Sequence, residues 1–342
     1  MNAPRMDAPQ LTAPLITAEQ ASRRFVRRLN YAEKIAGWLG ANVSDQTVHA
    51  VDQVSLTIHR GEVVGLVGES GCGKSTLGRM LAGIVPPTEG RIQTYEAHPT
   101  SAGHQRMRHR LATQMVFQDP LSSLNPRKRV RDIIGEAPLV HGIVERRHLD
   151  DYVVEVMQRV GLNPDFRQRF PHQFSGGQRQ RIGIGRALAV KPDFLICDES
   201  IAALDVSIQA QIINLFMQLR RDLGLTYLFI SHDLGVVEHI SDRVAVMYLG
   251  RIVETAPTET LFASPQHPYT ISLLEQVPRL SNRKRRFESI KGEIPSPLSP
   301  PEGCHFHPRC PHAMPRCRVE RPVLRATGAD HQTACHLMPE AQ

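Results

Sequence analysis

Gly68-Glu69-Ser70-Gly71-Cys72-Gly73-Lys74-Ser75-Thr76 follows the apolar run Val63-Val64-Gly65-Leu66-Val67 and precedes Leu77-Gly78-Arg79-Met80-Leu81-Ala82. A short apolar run, a Gly-rich turn and a helical pattern in that order decide the fold class: an α/β chain with a phosphate-binding loop between a strand and a helix. The residue types match that chemistry. Glycines let backbone N–H groups curl around phosphate oxygens, Lys74 reaches the β- and γ-phosphates, and Ser75 offers its hydroxyl to Mg²⁺.

Working outward, residues 48–59 partly alternate in polarity and predict a half-buried strand, with Arg60-Gly61-Glu62 turning into the loop strand. Met115-Val116-Phe117-Gln118 ends a short strand before Asp119-Pro120. Residues 121–180 hold helical segments such as 129–140 and 148–160, and a helix is expected over 181–190. Phe194-Leu195-Ile196-Cys197-Asp198-Glu199 predicts a buried strand ending on two carboxylates, followed by a helix over 206–221 and further strands at 225–230 and 243–248. Alternating strands and helices predict a largely parallel sheet covered on both faces. Residues 1–22, with Pro4, Pro9 and Pro14, are expected to be a loose tail. Residues 97–110 are polar and rich in His and Arg, which predicts a surface segment, and beyond Pro257 the Pro-rich character predicts a separate C-terminal appendage.

Composition bounds the class. With 41% hydrophobic and 22% charged residues the chain is ordinary for a soluble globular protein, and none of its apolar runs approaches the ~18 residues of a membrane span. The N-terminus lacks the basic segment and apolar core of a secretory signal, so a cytoplasmic protein is expected. The net charge of +7 suits nucleic acid or an anionic surface, yet it is diffuse; its clearest concentration, Arg283-Lys284-Arg285-Arg286, reads as a solvated linker.

Asp198 lies where a strand meets the solvent edge, the place of the acid that holds Mg²⁺ in phosphate-loop folds, and Glu199 beside it is free to polarise water. Ser175-Gly176-Gly177-Gln178 opens the helix that follows and is a second anion-binding device, because unpaired N–H groups and the helix dipole both face negative charge. One nucleotide needs one cradle, so the second points to a shared site.

Over residues 50–255 the chain resembles the ATP-binding subunits of ABC transporters. The matching elements are the Walker A loop at 68–76, the Q-loop Gln118, the signature Phe174-Ser175-Gly176-Gly177-Gln178-Arg179-Gln180-Arg181, the Walker B strand 194–199, the D-loop Ala203-Leu204-Asp205 and the switch His232. The resemblance implies a phosphate-loop core with an antiparallel β subdomain and a helical subdomain at about 121–180, the ATPase domain spanning 23–256 and an extension over 257–342. It implies ATP held by residues 68–76 of one subunit and by Ser175–Gln178 and Asp205 of another. It further implies Mg²⁺ on Ser75, Gln118 and Asp198, Glu199 as general base, His232 as sensor of the γ-phosphate, and Gln118 as relay to the membrane subunit. Phe25 is the candidate aromatic for adenine, beside its reading as a core or N-terminal anchor residue.

Ser123-Leu124-Asn125-Pro126-Arg127, His267-Pro268-Tyr269-Thr270 and the stretch 303–311 (GCHFHPRCP) resemble the dipeptide/oligopeptide importers, which include nickel and glutathione systems. That resemblance implies a second ATPase subunit, more consistent with a heterodimer than a homodimer, two transmembrane permeases, a separate solute-binding protein, and a peripheral position on the cytoplasmic face of the membrane. Two departures stand out: Asp198-Glu199-Ser200-Ile201-Ala202-Ala203-Leu204-Asp205 lacks the usual proline after Glu199, and Gly185 replaces an alanine.

Cys304, Cys310, Cys317 and Cys335 are separated by five, six and seventeen residues, none at the two-to-four spacing common for structural zinc. In a reducing compartment the cluster favours a metal over disulfides, and Zn²⁺ or an iron–sulfur centre both suit four thiolates. The family resemblance implies a [4Fe–4S] cluster; free thiols packing a small subdomain are the alternative, and His305, His307 and His336 are rival ligands. Two other functions stand beside import: a soluble ABC-type ATPase acting on nucleic acid or in translation, and a regulatory module that binds ATP without hydrolysing it. Against the first stand the single nucleotide motif, the absence of heptads and the cysteine tail, and against the second the intact Glu199 and His232.

Overall fold

The computed structural model describes residues 13–27, 46–95, 111–119, 123–202, 204–276 and 292–338. The segment 97–110, the basic run 283–286 and Ala203 lie outside them. The described residues divide between two compact units, those within 1–16, 58–65 and 94–242 and those within 17–57, 66–93 and 243–342.

In chain order, the elements used below are β1 (Pro14–Arg27), β2 (Gln46–His59), β3 (Val63–Val67), α1 (Lys74–Leu81), β4 (Glu89–Thr94) and β5 (Thr113–Val116). There follow α2 (Val130–Val140), α3 (Leu149–Arg159), α4 (Gly176–Leu188), β6 (Phe194–Asp198), α5 (Val206–Leu223), β7 (Thr226–Ile230), α6 (Leu234–Ile240), β8 (Arg243–Tyr248) and β9 (Arg251–Pro257). The last are α7 (Thr258–Ala263), α8 (Pro268–Glu275), α9 (Pro315–Val319), β10 (Arg325–Gly328) and β11 (His331–Thr333).

The first unit contains the start of β3 with β7, β6 and β5, in the order β3-β7-β6-β5. β5, β6 and β7 are parallel, with Phe194 opposite Thr226 and Asp198 opposite Ile230. Every residue of β6 and β7 is buried, as expected for strands covered on both faces. Where β3 begins, the Arg220 guanidinium donates to the Gly61 carbonyl and to both Asp242 oxygens, while Asp242 also accepts the Val63 N–H. The helical segments expected at 129–140 and 148–160 are α2 and α3, which pack with α4 through Ile133, Ile134, Val153, Val156, Met157, Ile182 and Ile184. The helix expected over 181–190 starts five residues earlier, at Gly176. Ser175 and Gln178 form a reciprocal capping box there, with the Ser175 N–H donating to Gln178 Oε1 at 3.1 Å.

Gly185 is buried in α4, where an added Cβ would meet Ile134, Val156 and Val160 at 3.5–3.6 Å, ordinary van der Waals distance. The site thus has room for the alanine it lacks, and Gly185→Ala is expected to stabilise the protein by about 0.5–1 kcal/mol through the smaller entropy of the unfolded chain. A raised urea midpoint at constant slope is the measurement that checks it.

The second unit contains most of the three-stranded sheet β2-β1-β4 and the strands β10-β11-β9-β8 with the end of β3. Here two expectations are corrected. Residues 14–22 are not loose: they open β1, with Leu15, Ile16, Ala18 and Ala21 buried, and Pro14 sits at the strand's first position, where its missing N–H is tolerated. The described residues beyond 257 are not a separate appendage either. β11 pairs antiparallel with β9, Gln332 opposite Thr255 and Thr333 opposite Glu254, and the fully buried Glu254 accepts from the Gln266 and His267 N–H groups and pairs with His331 Nε2 at 2.7 Å.

The strands are also less uniformly parallel than the sequence predicts. β8 and β9 form an antiparallel hairpin turning at Leu249 and Gly250, both at positive φ (40° and 84°), the geometry of a tight two-residue hairpin turn. Among the described residues no helix is long and apolar enough to cross a membrane.

Candidate functional site: the phosphate loop and the Gln118-Glu199-His232 cluster

The phosphate loop is built as its sequence predicts. β3 is buried at all five positions, and α1 starts at Lys74 with Gly73 as its N-cap and no side chain capping it. An uncapped helix N-terminus after a glycine loop is the kind of end that suits an anion. Lys74 is only 4% exposed, and its ammonium donates to the Gly68 and Glu69 carbonyls at 2.7 and 2.9 Å, which holds the cation inside the curl of the loop. Gly68 and Gly73 are required by close approach: an added Cβ would lie 2.1 Å from the Met247 carbonyl oxygen and 2.0 Å from that of Ala50, respectively. Cys72 is buried beneath the loop, its carbonyl accepts from the Gly250 N–H at 2.8 Å, and burial pushes its thiol pKa up.

In the other unit, Gln118, Glu199 and His232 come together. Gln118 Nε2 donates to Glu199 Oε2 at 2.8 Å, and His232 Nδ1 lies 3.6 Å from the same oxygen. Glu199 follows β6 at φ 46°, a left-handed backbone uncommon for a side chain of its size, and its N–H donates to the Ile230 carbonyl at the end of β7. The parallel register of β6 and β7 therefore sets the direction of the carboxylate. Asp198, one residue earlier, is buried. The turn after Glu199 closes without the missing proline, the Ala202 N–H donating to the Glu199 carbonyl at 3.1 Å.

Ser175 caps α4, and Gly177 lets that helix end approach α5, because an added Cβ would lie 2.5 Å from Ile208. Asp205 is the N-cap of α5 and makes no side-chain cap bond. Phe25 is 39% exposed on β1 with the Arg23 guanidinium 4.7 Å from its ring centre, so it is not a core residue.

The four tail cysteines form no disulfide among the described residues. Cys304 is pushed up to about 11 by burial, with Cys317, Cys335 and Cys310 close enough to add to the effect. Proximity does not make a ligand set: among the described residues no three His, Cys, Asp or Glu side chains form a group that could hold a metal ion. The rival histidines are each directed to backbone, His305 Nδ1 to Leu249, His307 Nδ1 to Cys304 and His336 Nε2 to Glu320. The expected [4Fe–4S] cluster or Zn²⁺ therefore finds no fitting donor group in this arrangement.

Sequence reading missed the part that the extension plays at the loop. Tyr269 and Arg309 both contact Glu69, yet they stood in the sequence only inside stretches that mark a sub-family. An aromatic and a cation in an otherwise polar, Pro-rich segment were the available signal.

A strand and a glycine-rich phosphate loop with a buried lysine in one unit, and in the other a carboxylate that accepts from a glutamine with a histidine 3.6 Å away, mark the class, a phosphate-loop nucleoside triphosphatase. Residues 51–202 match the ABC transporter family, and residues 253–317 match the C-terminal region of oligopeptide/dipeptide transporters. The chain is 51% identical over 295 residues to the oligopeptide transport ATP-binding protein AppF of Bacillus subtilis, covering 85% of this chain and 90% of that protein. It is 48% identical over 300 residues to the dipeptide transport ATP-binding protein DppF of Haemophilus influenzae, covering 86% and 91%. Among solved structures it is similar to cbiO1 of Clostridium perfringens, part of the ABC transporter complex cbiONQ, with TM-score 0.59 and 27% identity over 73% of this chain and 91% of that one. The chain belongs to the ABC transporter ATP-binding proteins, in the branch that carries the oligopeptide/dipeptide transporter C-terminal region, and it is an ATP hydrolase.

Proposed function

We propose that this chain hydrolyses ATP to drive import of di- or oligopeptides through two membrane permease subunits. The observation that carries the catalytic part is the convergence of Gln118 Nε2 and His232 Nδ1 on one oxygen of Glu199. A carboxylate held in this way is suited to take a proton from the water that attacks the γ-phosphate, and a histidine beside it is suited to report whether that phosphate is present.

The division of labour follows from the residues. Lys74, Ser75 and N–H groups of the loop other than that of Glu69 take the phosphates, and Asp198, Gln118 and Ser75 are the Mg²⁺-side groups. Mg²⁺, when bound, neutralises charge that develops on the phosphoryl oxygens. Ser175 to Gln178 and Asp205 serve the nucleotide of a second ATPase subunit, and Phe25 offers an exposed ring to adenine. The peptide cargo follows from the relatives named for oligopeptide and dipeptide transport and from the matching C-terminal region. The assembly sits at the cytoplasmic face of the membrane, with a different ATPase chain as partner and a solute-binding protein delivering the peptide. No step here runs through the four tail cysteines; iron, sulfide and zinc content of anaerobically purified protein decides whether they take a metal.

Uptake is the test. In cells lacking the native gene, the wild-type chain is expected to restore ATP-dependent accumulation of a labelled di- or tripeptide and to co-purify with two hydrophobic membrane subunits. Hydrolysis without restored uptake of any peptide would sink the import reading.

A further inference from the structure

The phosphate loop is not held by the ATPase domain alone. Both oxygens of the Glu69 carboxylate accept from the Arg309 guanidinium, at 2.7 Å from Nη1 and 2.9 Å from Nη2. The backbone N–H of Glu69 donates to the hydroxyl of Tyr269 at 2.9 Å. Both partners come from beyond residue 257, and both are buried: the Arg309 side chain is 5% exposed and Tyr269 fully enclosed.

They are braced in turn. Arg309 Nη1 lies 3.4 Å from the Tyr248 hydroxyl, and the Tyr248, Tyr269 and Phe306 rings pack at 4.7–5.4 Å between centres. His305 Nδ1 meets the Leu249 carbonyl at 3.0 Å, in the hairpin turn whose next residue, Gly250, donates to Cys72 inside the loop. The extension thus grips both the loop and the turn that supports it.

The chemistry gives this grip a purpose. Glu69 puts a carboxylate into a loop whose task is to bind a polyphosphate, and its carbonyl already accepts from Lys74. An unneutralised carboxylate there would repel the phosphates and compete for the lysine, whereas a bidentate arginine cancels its charge and fixes its direction. Tyr269 takes the Glu69 N–H and so sets which amides of the loop are left to face an anion.

We propose that Arg309 and Tyr269 are positioning residues of the phosphate loop, and that Arg309 neutralises Glu69 so that the loop accepts a polyphosphate. This rests on the reading of residues 68–76 as the ATP-binding loop.

The test is a charge cycle on the full chain, read as Mg-ATP affinity by equilibrium titration, with each variant's thermal melt as a check on folding. Arg309→Ala is expected to weaken binding about tenfold, equivalent to about 1.4 kcal/mol. Adding Glu69→Gln to Arg309→Ala is expected to bring affinity back to within about threefold of wild type, because no charge is then left to neutralise. A purely structural pair predicts the opposite, a double variant no better than Arg309→Ala, and that result overturns the proposal. Should Arg309→Ala not fold, Glu69→Gln alone decides: it binds Mg-ATP at least as tightly as wild type if neutralisation is the role, and a tenfold loss overturns it. Wild-type chain that fails to bind Mg-ATP would instead overturn the nucleotide reading, and the proposal with it.

Discussion

Glu199→Gln is expected to lower steady-state ATP hydrolysis by roughly a hundred- to ten-thousand-fold, the contribution typical of a positioned general base, while leaving Mg-ATP binding close to wild type. The amide is nearly isosteric with the carboxylate, so its oxygen can still accept from Gln118 Nε2, which lies 2.8 Å from Glu199 Oε2. The backbone is unaffected too, since the φ of 46° and the N–H bond to the Ile230 carbonyl do not depend on the side-chain terminus. What is lost is the capacity to accept a proton from water. Binding should persist because the lysine held by the Gly68 and Glu69 carbonyls is unchanged by this substitution. A phosphate-release assay beside an equilibrium ATP titration separates the two quantities. Residual hydrolysis above about a tenth of wild type, well outside the range expected for losing a general base, would remove Glu199 from that role.

That Glu199 can be singled out from sequence at all reflects how much of this site is local. The strand of residues 63–67, the glycine loop and the helix from Lys74 are consecutive, and each carries its own signal in periodicity or glycine content. The buried run 194–198 likewise delivers Asp198 and Glu199 to a strand end without reference to anything distant. What was not legible depends on residues far apart in the chain. β11 is three residues long, His331-Gln332-Thr333, with no apolar alternation to announce a strand; it exists because β9 offers an edge and Glu254 offers a buried partner for His331. β1 was hidden by prolines, although Leu15-Ile16 and Ala18 supply its buried side chains. The pairing of Arg309 with Glu69 spans 240 residues and leaves no trace in the spacing of either. Short-range chemistry therefore carries the signal for the candidate catalytic groups, and long-range packing determines what surrounds them.

Gly73→Ala is expected to reduce Mg-ATP affinity by two orders of magnitude or more, about 2.7 kcal/mol, with hydrolysis falling in parallel. Gly73 adopts φ 106°, where an L side chain is strained, and an added Cβ would lie 2.0 Å from the Ala50 carbonyl oxygen and 2.9 Å from Met247 Cε. Methionine can swing away, but the carbonyl belongs to β2 and cannot move without the strand. Relief must come from the loop, and a shift at Gly73 displaces the next residue, Lys74, from the two carbonyls that hold it. Gly71 separates strain from collision. It also has a left-handed φ, 80°, but an added Cβ meets nothing within 4 Å, so Gly71→Ala carries only the backbone penalty of about 1–2 kcal/mol. Titration of Mg-ATP into both variants therefore distinguishes two causes. If Gly73→Ala binds as well as Gly71→Ala, the close approach of β2 does not set the position of Lys74; if it binds far more weakly, the Ala50 carbonyl is the wall against which the phosphate loop is formed.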